Sequence, residues 1–144
     1  MLQKSIGKLL GGECKVIHIS FPNNKTMEVA TSLPEAQNKV ILCGVFNPMH
    51  KGHRQLLQTA KRKCDKAEAY FEMSMIGPDG EEMKENDPYL MARIIQFQKY
   101  PDDASVIIMK EASFIKKAKA LPGSHFVIGY DIYERLVDPK TYGN

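Results

Sequence analysis

Lys39-Val40-Ile41-Leu42-Cys43-Gly44-Val45-Phe46-Asn47-Pro48-Met49-His50-Lys51-Gly52-His53 decides how this chain is read. Its first five residues are a continuous apolar run behind one lysine, the pattern of a strand buried on both faces. A loop rich in glycine, proline and histidine follows. Leu56, Leu57 and Ala60 then recur along a basic helix that ends near Cys64. Strand, loop and helix in that order place the loop beyond the carboxyl end of a strand, where open parallel sheets bind their ligands.

The same alternation continues downstream. Ala69 to Ile76 reads as a second strand, closed by the turn Gly77-Pro78-Asp79-Gly80. Asp87-Pro88 opens a helix, with the carboxylate as cap and proline at the first position. Leu90, Ile94 and Phe97 form its apolar stripe and Pro101 ends it. Ser105 to Met109 is a third strand, Phe114, Ile115 and Ala118 mark a helix stopped by Pro122-Gly123, and His125 to Ile128 is a fourth strand before a helical Asp131 to Val137. Four strand–helix units predict an α/β fold, a Rossmann-like parallel sheet with helices on both faces. A doubly wound domain usually has a fifth strand, so truncation at the carboxyl end is the expectation for a chain stopping at Asn144. Residues 1–38 are expected to be an amino-terminal extension and 39–144 the domain proper. Within the extension, Met1 to Leu10 carries a helical spacing. Lys15 to Ser20 and Thr26 to Ala30 read as strands across the Pro22-Asn23-Asn24 turn.

The chemistry concentrates in the loop. Gly44 permits a tight exit from the strand and close approach of a nucleotide, and Gly52 keeps the start of the helix clear of a side chain. A helix amino terminus offers unpaired N–H groups and the positive end of a dipole, a ready phosphate site. His50 and His53, three apart on the first turn, can face the same anion. Two imidazoles there stabilise charge as an attacking phosphate displaces pyrophosphate from a nucleoside triphosphate, with no need for a covalent nucleophile.

Gly44 to His53 resembles the first signature, G-x-F-[ND]-P-x-H-x-G-H, of the HxGH nucleotidylyltransferase superfamily. The Phe-Asn-Pro form is closest to nicotinamide-mononucleotide adenylyltransferases and to a cytidylyltransferase-like group. Leu121-Pro-Gly-Ser-His-Phe-Val-Ile-Gly-Tyr-Asp131 and Arg135-Leu-Val-Asp-Pro-Lys140 resemble that group more closely still. The likeness covers residues 39–144, about three quarters of the chain. It implies transfer of a nucleoside monophosphate, AMP ahead of CMP, to a phosphorylated acceptor, with nicotinamide mononucleotide the first choice and Mg²⁺ accompanying the triphosphate. It implies that His50 and His53 contact the phosphates and that Gly44, Val45, Phe46, Asn47 and Gly52 line the nucleotide. Gly129 and Asp131 match the G-x-D of the pyridine-nucleotide branch, and Arg93 an arginine toward the acceptor. Lys51 either holds phosphate or is solvated, and Asp131 either serves the site or caps the last helix.

Two features depart from the family pattern. The second signature, S-x-T-x-x-R, is absent from these residues, which keeps a non-catalytic nucleotide-binding or regulatory module as the rival reading. The loop Asp79-Gly-Glu-Glu82 stands where relatives often carry lysine and prolines.

Composition narrows the setting. Lys and Arg total 20 against 17 Asp and Glu, a net charge of +3, and the basic runs Lys61-Arg62-Lys63 and Lys116-Lys117 are short and read as solvated helix faces. No nucleic-acid partner is expected. Cys14, Cys43 and Cys64 form no CxxC, and no apolar run nears the roughly 18 residues of a membrane span. Reduced thiols in the cytoplasm, without membrane attachment, are expected. Association into a homo-oligomer is left open by the sequence. His18 and His125, single and strand-borne, read as structural, Cys43 as core and Cys64 as a helix-face residue.

Overall fold

The computed structural model describes residues 1–76, 81–101, 103–138 and 140, with backbone alone for Tyr130 and Asp131. The parallel core forms where the apolar runs stand. β3 (Asn38–Cys43), β4 (Ala67–Ser74), β5 (Ser105–Met109) and β6 (His125–Val127) hydrogen-bond in the order β5-β4-β3-β6, all parallel. Helix α2 (Lys51–Lys63) joins β3 to β4. Helix α3 (Pro88–Ile95) and a 3₁₀ turn (Gln96–Lys99) join β4 to β5. Helix α4 (Phe114–Ala120) carries the chain back across the sheet to β6, and α5 (Tyr130–Val137) follows. The direction of winding reverses beside β3, so the crevice between the carboxyl ends of β3 and β6 is the switch point of a Rossmann-like sheet.

The sheet is larger than its parallel part, and mixed. β1 (Ile17–Ser20) pairs antiparallel with β5, and β2 (Glu28–Ala30) antiparallel with β1. Helix α1 (Leu2–Leu10) buries Leu2, Ile6 and Leu9 in the same core that holds Ile17, Ile19, Phe71 and Val106. The early residues thus form the helix and both strands read from their spacing. Their apolar side chains are too few to close a core alone, and they close one by joining the sheet edge.

Period-two alternation sends neighbouring side chains to opposite layers. Val40, Leu42, Phe71, Met73, Val106 and Ile108 meet α1, α2, α3 and the 3₁₀ turn through Leu9, Leu57, Leu90, Ile94 and Phe97. Ile41, Tyr70 and Ile107 face the other way, with Ala120, Leu121 and Phe126 packed over them. Helices therefore cover both faces. Asp87 caps α3 as read from the sequence, its side chain accepting from Tyr89 N–H at 2.8 Å. The turn Gly77-Pro78-Asp79-Gly80 lies outside the described residues. His18 donates to or accepts from Ser105 Oγ at 2.7 Å and stacks edge-on to Tyr70, a structural role. No helix among the described residues is long and apolar enough to cross a membrane.

Ile19, fully buried on β1, tests whether the antiparallel edge is part of the cooperative unit. Ile19→Ala is expected to lower the unfolding free energy in urea by about 2–5 kcal/mol, the cost of a core cavity. A loss well under 1 kcal/mol would mean that β1 melts apart from the rest.

Candidate functional site

The loop after β3 is held from three sides. Phe46 takes a left-handed φ of 50°, a conformation bulky residues avoid, and the Asn47–Pro48 peptide is cis. That backbone turns the Phe46 ring inward, where it meets Phe71, Phe97 and His53 edge-on at centroid distances of 5.3, 5.7 and 5.0 Å. From α3 and the 3₁₀ turn, two side chains three residues apart reach the loop backbone. Arg93 Nε donates to the Val45 carbonyl at 2.7 Å. Gln96 Nε2 donates to the Phe46 carbonyl at 2.6 Å, while its Oε1 accepts from Met49 N–H at 2.8 Å.

The third restraint is a reciprocal cap at the start of α2. Gly52 N–H donates to His50 Nδ1 at 3.1 Å, and His50 N–H donates to His53 Nδ1 at 3.1 Å. The two rings stack, 3.7 Å apart and 19° from parallel. The cap uses Nδ1 of each ring and is compatible with contact to a phosphate through the other nitrogen. With both Nδ1 atoms accepting, each neutral ring carries its proton on Nε2, the nitrogen turned away from the cap. Protonating either ring at Nδ1 would turn an acceptor into a donor and break the cap. Burial first, and then the charge of neighbouring His50, holds His53 below the ordinary histidine pKa.

The glycines are explained by side chains close at hand. A Cβ on Gly52 would lie 2.9 Å from His50 Cε1, and one on Gly44 would lie 3.0 Å from the Phe46 ring. Clearance for a nucleotide, the reason read from the sequence, is not what these contacts require. Room for His50 and Phe46 is.

A cavity of about 480 Å³ opens beside the loop, at the carboxyl ends of the sheet. Its wall takes Cys43, Gly44 and Val45 from β3 and the loop, and Glu72 and Ser74 from β4. Arg93, Lys117 and Arg135 come from three successive helices. The structure thus brings Gly44, Val45 and Arg93 together, while Asn47, His50, Lys51, Gly52 and His53 stand outside the cavity lining at the neighbouring helix terminus. Phe46 is buried, so only its backbone is open to a ligand. Lys51 is exposed. Gly129 is the N-cap residue of α5, which puts Asp131 in the first turn and not at the cap position. The Asp131 side chain lies outside the described residues.

Three site residues escape the sequence reading. Gln96 had a signal in its spacing from Arg93. Glu72 is an acid among the buried residues of β4, fully buried itself, and its Oε2 accepts from Lys117 Nζ at 2.8 Å. Lys117 is buried as well, although its run reads as a solvated face. Burial pushes the Glu72 carboxyl up against the opposing pull of Lys117. Burial and the Glu72 charge raise the Cys43 thiol far above its usual range, which removes it as a nucleophile. Among the described residues no group of three or more His, Cys, Asp or Glu side chains forms a metal site.

A family model described as cytidylyltransferase-like matches residues 41–141. The chain belongs to this family. The match begins within β3, spans the histidine loop and all four parallel strands, and carries a nucleotidyltransferase kind of function. Comparison with curated proteins and with solved structures finds no match.

Removing the Gln96 side chain leaves one carbonyl and one N–H of the loop without partners. Gln96→Ala is expected to cost about 1–3 kcal/mol in urea unfolding and to speed amide exchange at Met49. Unchanged exchange there would show that Arg93 and Phe46 hold the loop unaided. For His53 the sign is fixed by its lowered folded pKa. Its contribution to stability is complete above about pH 6.5 and declines as pH falls from there toward the folded value, because the unfolded chain takes the proton first. Ring-proton NMR should give His53 a midpoint below that of an ordinary histidine, and a midpoint at or above it would contradict the cap geometry.

Proposed function

We propose that this nucleotidyltransferase transfers a nucleoside monophosphate, AMP in preference to CMP, from a triphosphate to a phosphorylated acceptor and releases pyrophosphate. The observation that carries the reading is the stacked pair His50 and His53, capping α2 through Nδ1 and leaving two Nε2–H donors at the positive end of the helix. Phosphoryl oxygens accept such donors, and charge that builds on them during in-line displacement is stabilised by groups already in place. The acceptor phosphate attacks the α-phosphorus, the bond to the bridging oxygen breaks, and pyrophosphate departs with that oxygen. Neither imidazole has to move a proton.

The acceptor, in this reading, occupies the cavity beside the loop, and nicotinamide mononucleotide suits its size and its arginines, Arg93 and Arg135. Gly129 and Asp131, at the end of the neighbouring strand β6, stand on the ribose side, and Lys51 attends the outer phosphates. Magnesium arrives on the triphosphate, as the resemblance implies. The preference for adenine and the choice of acceptor rest on resemblance in the Phe-Asn-Pro loop. Small molecules, and no polynucleotide, are the partners, and a cytoplasmic setting accords with the free cysteines Cys14, Cys43 and Cys64.

Pyrophosphate release with ATP or CTP plus nicotinamide mononucleotide tests the proposal. His53→Ala and His50→Ala are each expected to lose about 10²- to 10³-fold in kcat, the usual effect of removing one donor to a transition-state oxyanion. Turnover that ignores both substitutions would sink the histidine mechanism. Triphosphate binding with no turnover against any phosphorylated acceptor would leave a binding module.

A further inference from the structure

Every other α-helix sends a side chain into one of the two apolar cores: Leu9 from α1, Leu57 from α2, Leu90 from α3 and Ala120 from α4. Among the described residues α5 sends none, and none of its described side chains is buried. A helix of only eight residues is marginal in water on its own, so contacts to the rest of the chain have to hold it. Its stripe is nonetheless apolar. Ile132, Arg135 and Leu136 fall at helical spacing on one face, and all three line the cavity beside the loop. That face therefore meets an open volume of about 480 Å³ and not a packed layer. The joint that carries α5 is unobstructed as well. Gly129, its N-cap residue, is exposed, and a Cβ there would meet nothing within 4 Å. Glycine also turns through a wider range than other residues.

We propose that α5 is a lid closed by the acceptor, pivoting at Gly129 to lay Ile132 and Leu136 on the acceptor's body and bring Arg135 to its phosphate. The proposal rests on the reading that the phosphorylated acceptor occupies this cavity. The two arginines then differ in kind. Arg93 Nε is committed to the Val45 carbonyl and stays with the loop, whereas Arg135 is exposed, forms no ion pair with another described residue, and travels with the helix. The ligand supplies the apolar contact that α5 lacks, so its binding and the settling of the helix are one event, driven by its higher affinity for the closed form. A molecule with the ring and no phosphate leaves Arg135 without an anion and the lid open.

Hydrogen exchange of the full chain, followed by mass spectrometry, tests this. With nicotinamide mononucleotide at about a hundred times its Kd, the amides of residues 132–137 are expected to exchange about ten- to a hundredfold more slowly than in the free protein. Nicotinamide riboside, the same ring without the phosphate, should leave them unprotected. Arg135→Met is expected to weaken the nucleotide at least about tenfold by calorimetry, the effect of one charged hydrogen bond, and Arg135→Lys to lose less. Failure of the nucleotide to bind, exchange in α5 already as slow as in β4 without ligand, equal exchange with and without bound nucleotide, or full affinity in Arg135→Met overturns the lid. Ala112→Trp, which puts an indole into the cavity from an exposed position, checks the underlying reading. Undiminished nucleotide binding in that variant, with titration by ATP and magnesium showing it folded, places the acceptor elsewhere and defeats both readings of the cavity. Binding blocked by Ala112→Trp, with exchange in wild-type α5 unchanged by the nucleotide, defeats the lid alone.

Discussion

The ring of Phe46 is the fixture on which the carboxyl edge depends. A phenylalanine at φ 50° is tolerated only where something over-determines it, and here the ring is locked among Phe71, Phe97 and His53. Burying the ring commits the backbone on either side. Upstream, a Cβ on Gly44 would lie 3.0 Å from the ring, so a bare backbone suits its close passage. Downstream, the chain is delivered to the start of α2 with His50 at the cap. Gln96 then closes the arrangement by gripping the two loop groups, Phe46 C=O and Met49 N–H, that no sheet or helix partner satisfies. A loop whose shape is fixed by a core residue can hold donors still while charge develops in front of them, which is what electrostatic stabilisation requires.

The histidine pair shows how one interaction can serve structure and chemistry together. Two stacked imidazoles would repel if both were charged, and each Nδ1 is already committed as an acceptor. Both constraints favour the neutral tautomer with its proton outward. The helix terminus, not the ring charge, then supplies the positive field, and the rings supply direction.

Much of the architecture was legible in the sequence because burial writes itself into periodicity. Val40 to Leu42 and Val106 to Ile108 are unbroken apolar runs because both faces of those strands are covered, and the Asp87-Pro88 start of α3 follows from local chemistry alone. The loop was legible too, since fixed residue types at fixed spacing mark His50 and His53. Other features were illegible for physical reasons. That β1 would lie antiparallel beside β5 depends on long-range pairing, which a short alternating strand leaves undetermined. The reason for Gly52 is an imidazole two residues away, visible only once the cap is formed. Lys117 sits in a run that looks like a solvated face, and nothing local says that one of two adjacent lysines turns inward to an acid 45 residues earlier.

That inward lysine stands in the wall of the cavity. A buried ion pair gives weak stability, because desolvating two charges offsets most of their attraction, and well-packed apolar side chains would serve packing as well or better. A strand as apolar as Ala69 to Met75 could have carried leucine at position 72 and closed the space beneath α4. Instead the sheet keeps a carboxylate there, in the wall of the cavity, and holds it with a cation from the opposing helix. Stability alone does not account for that choice.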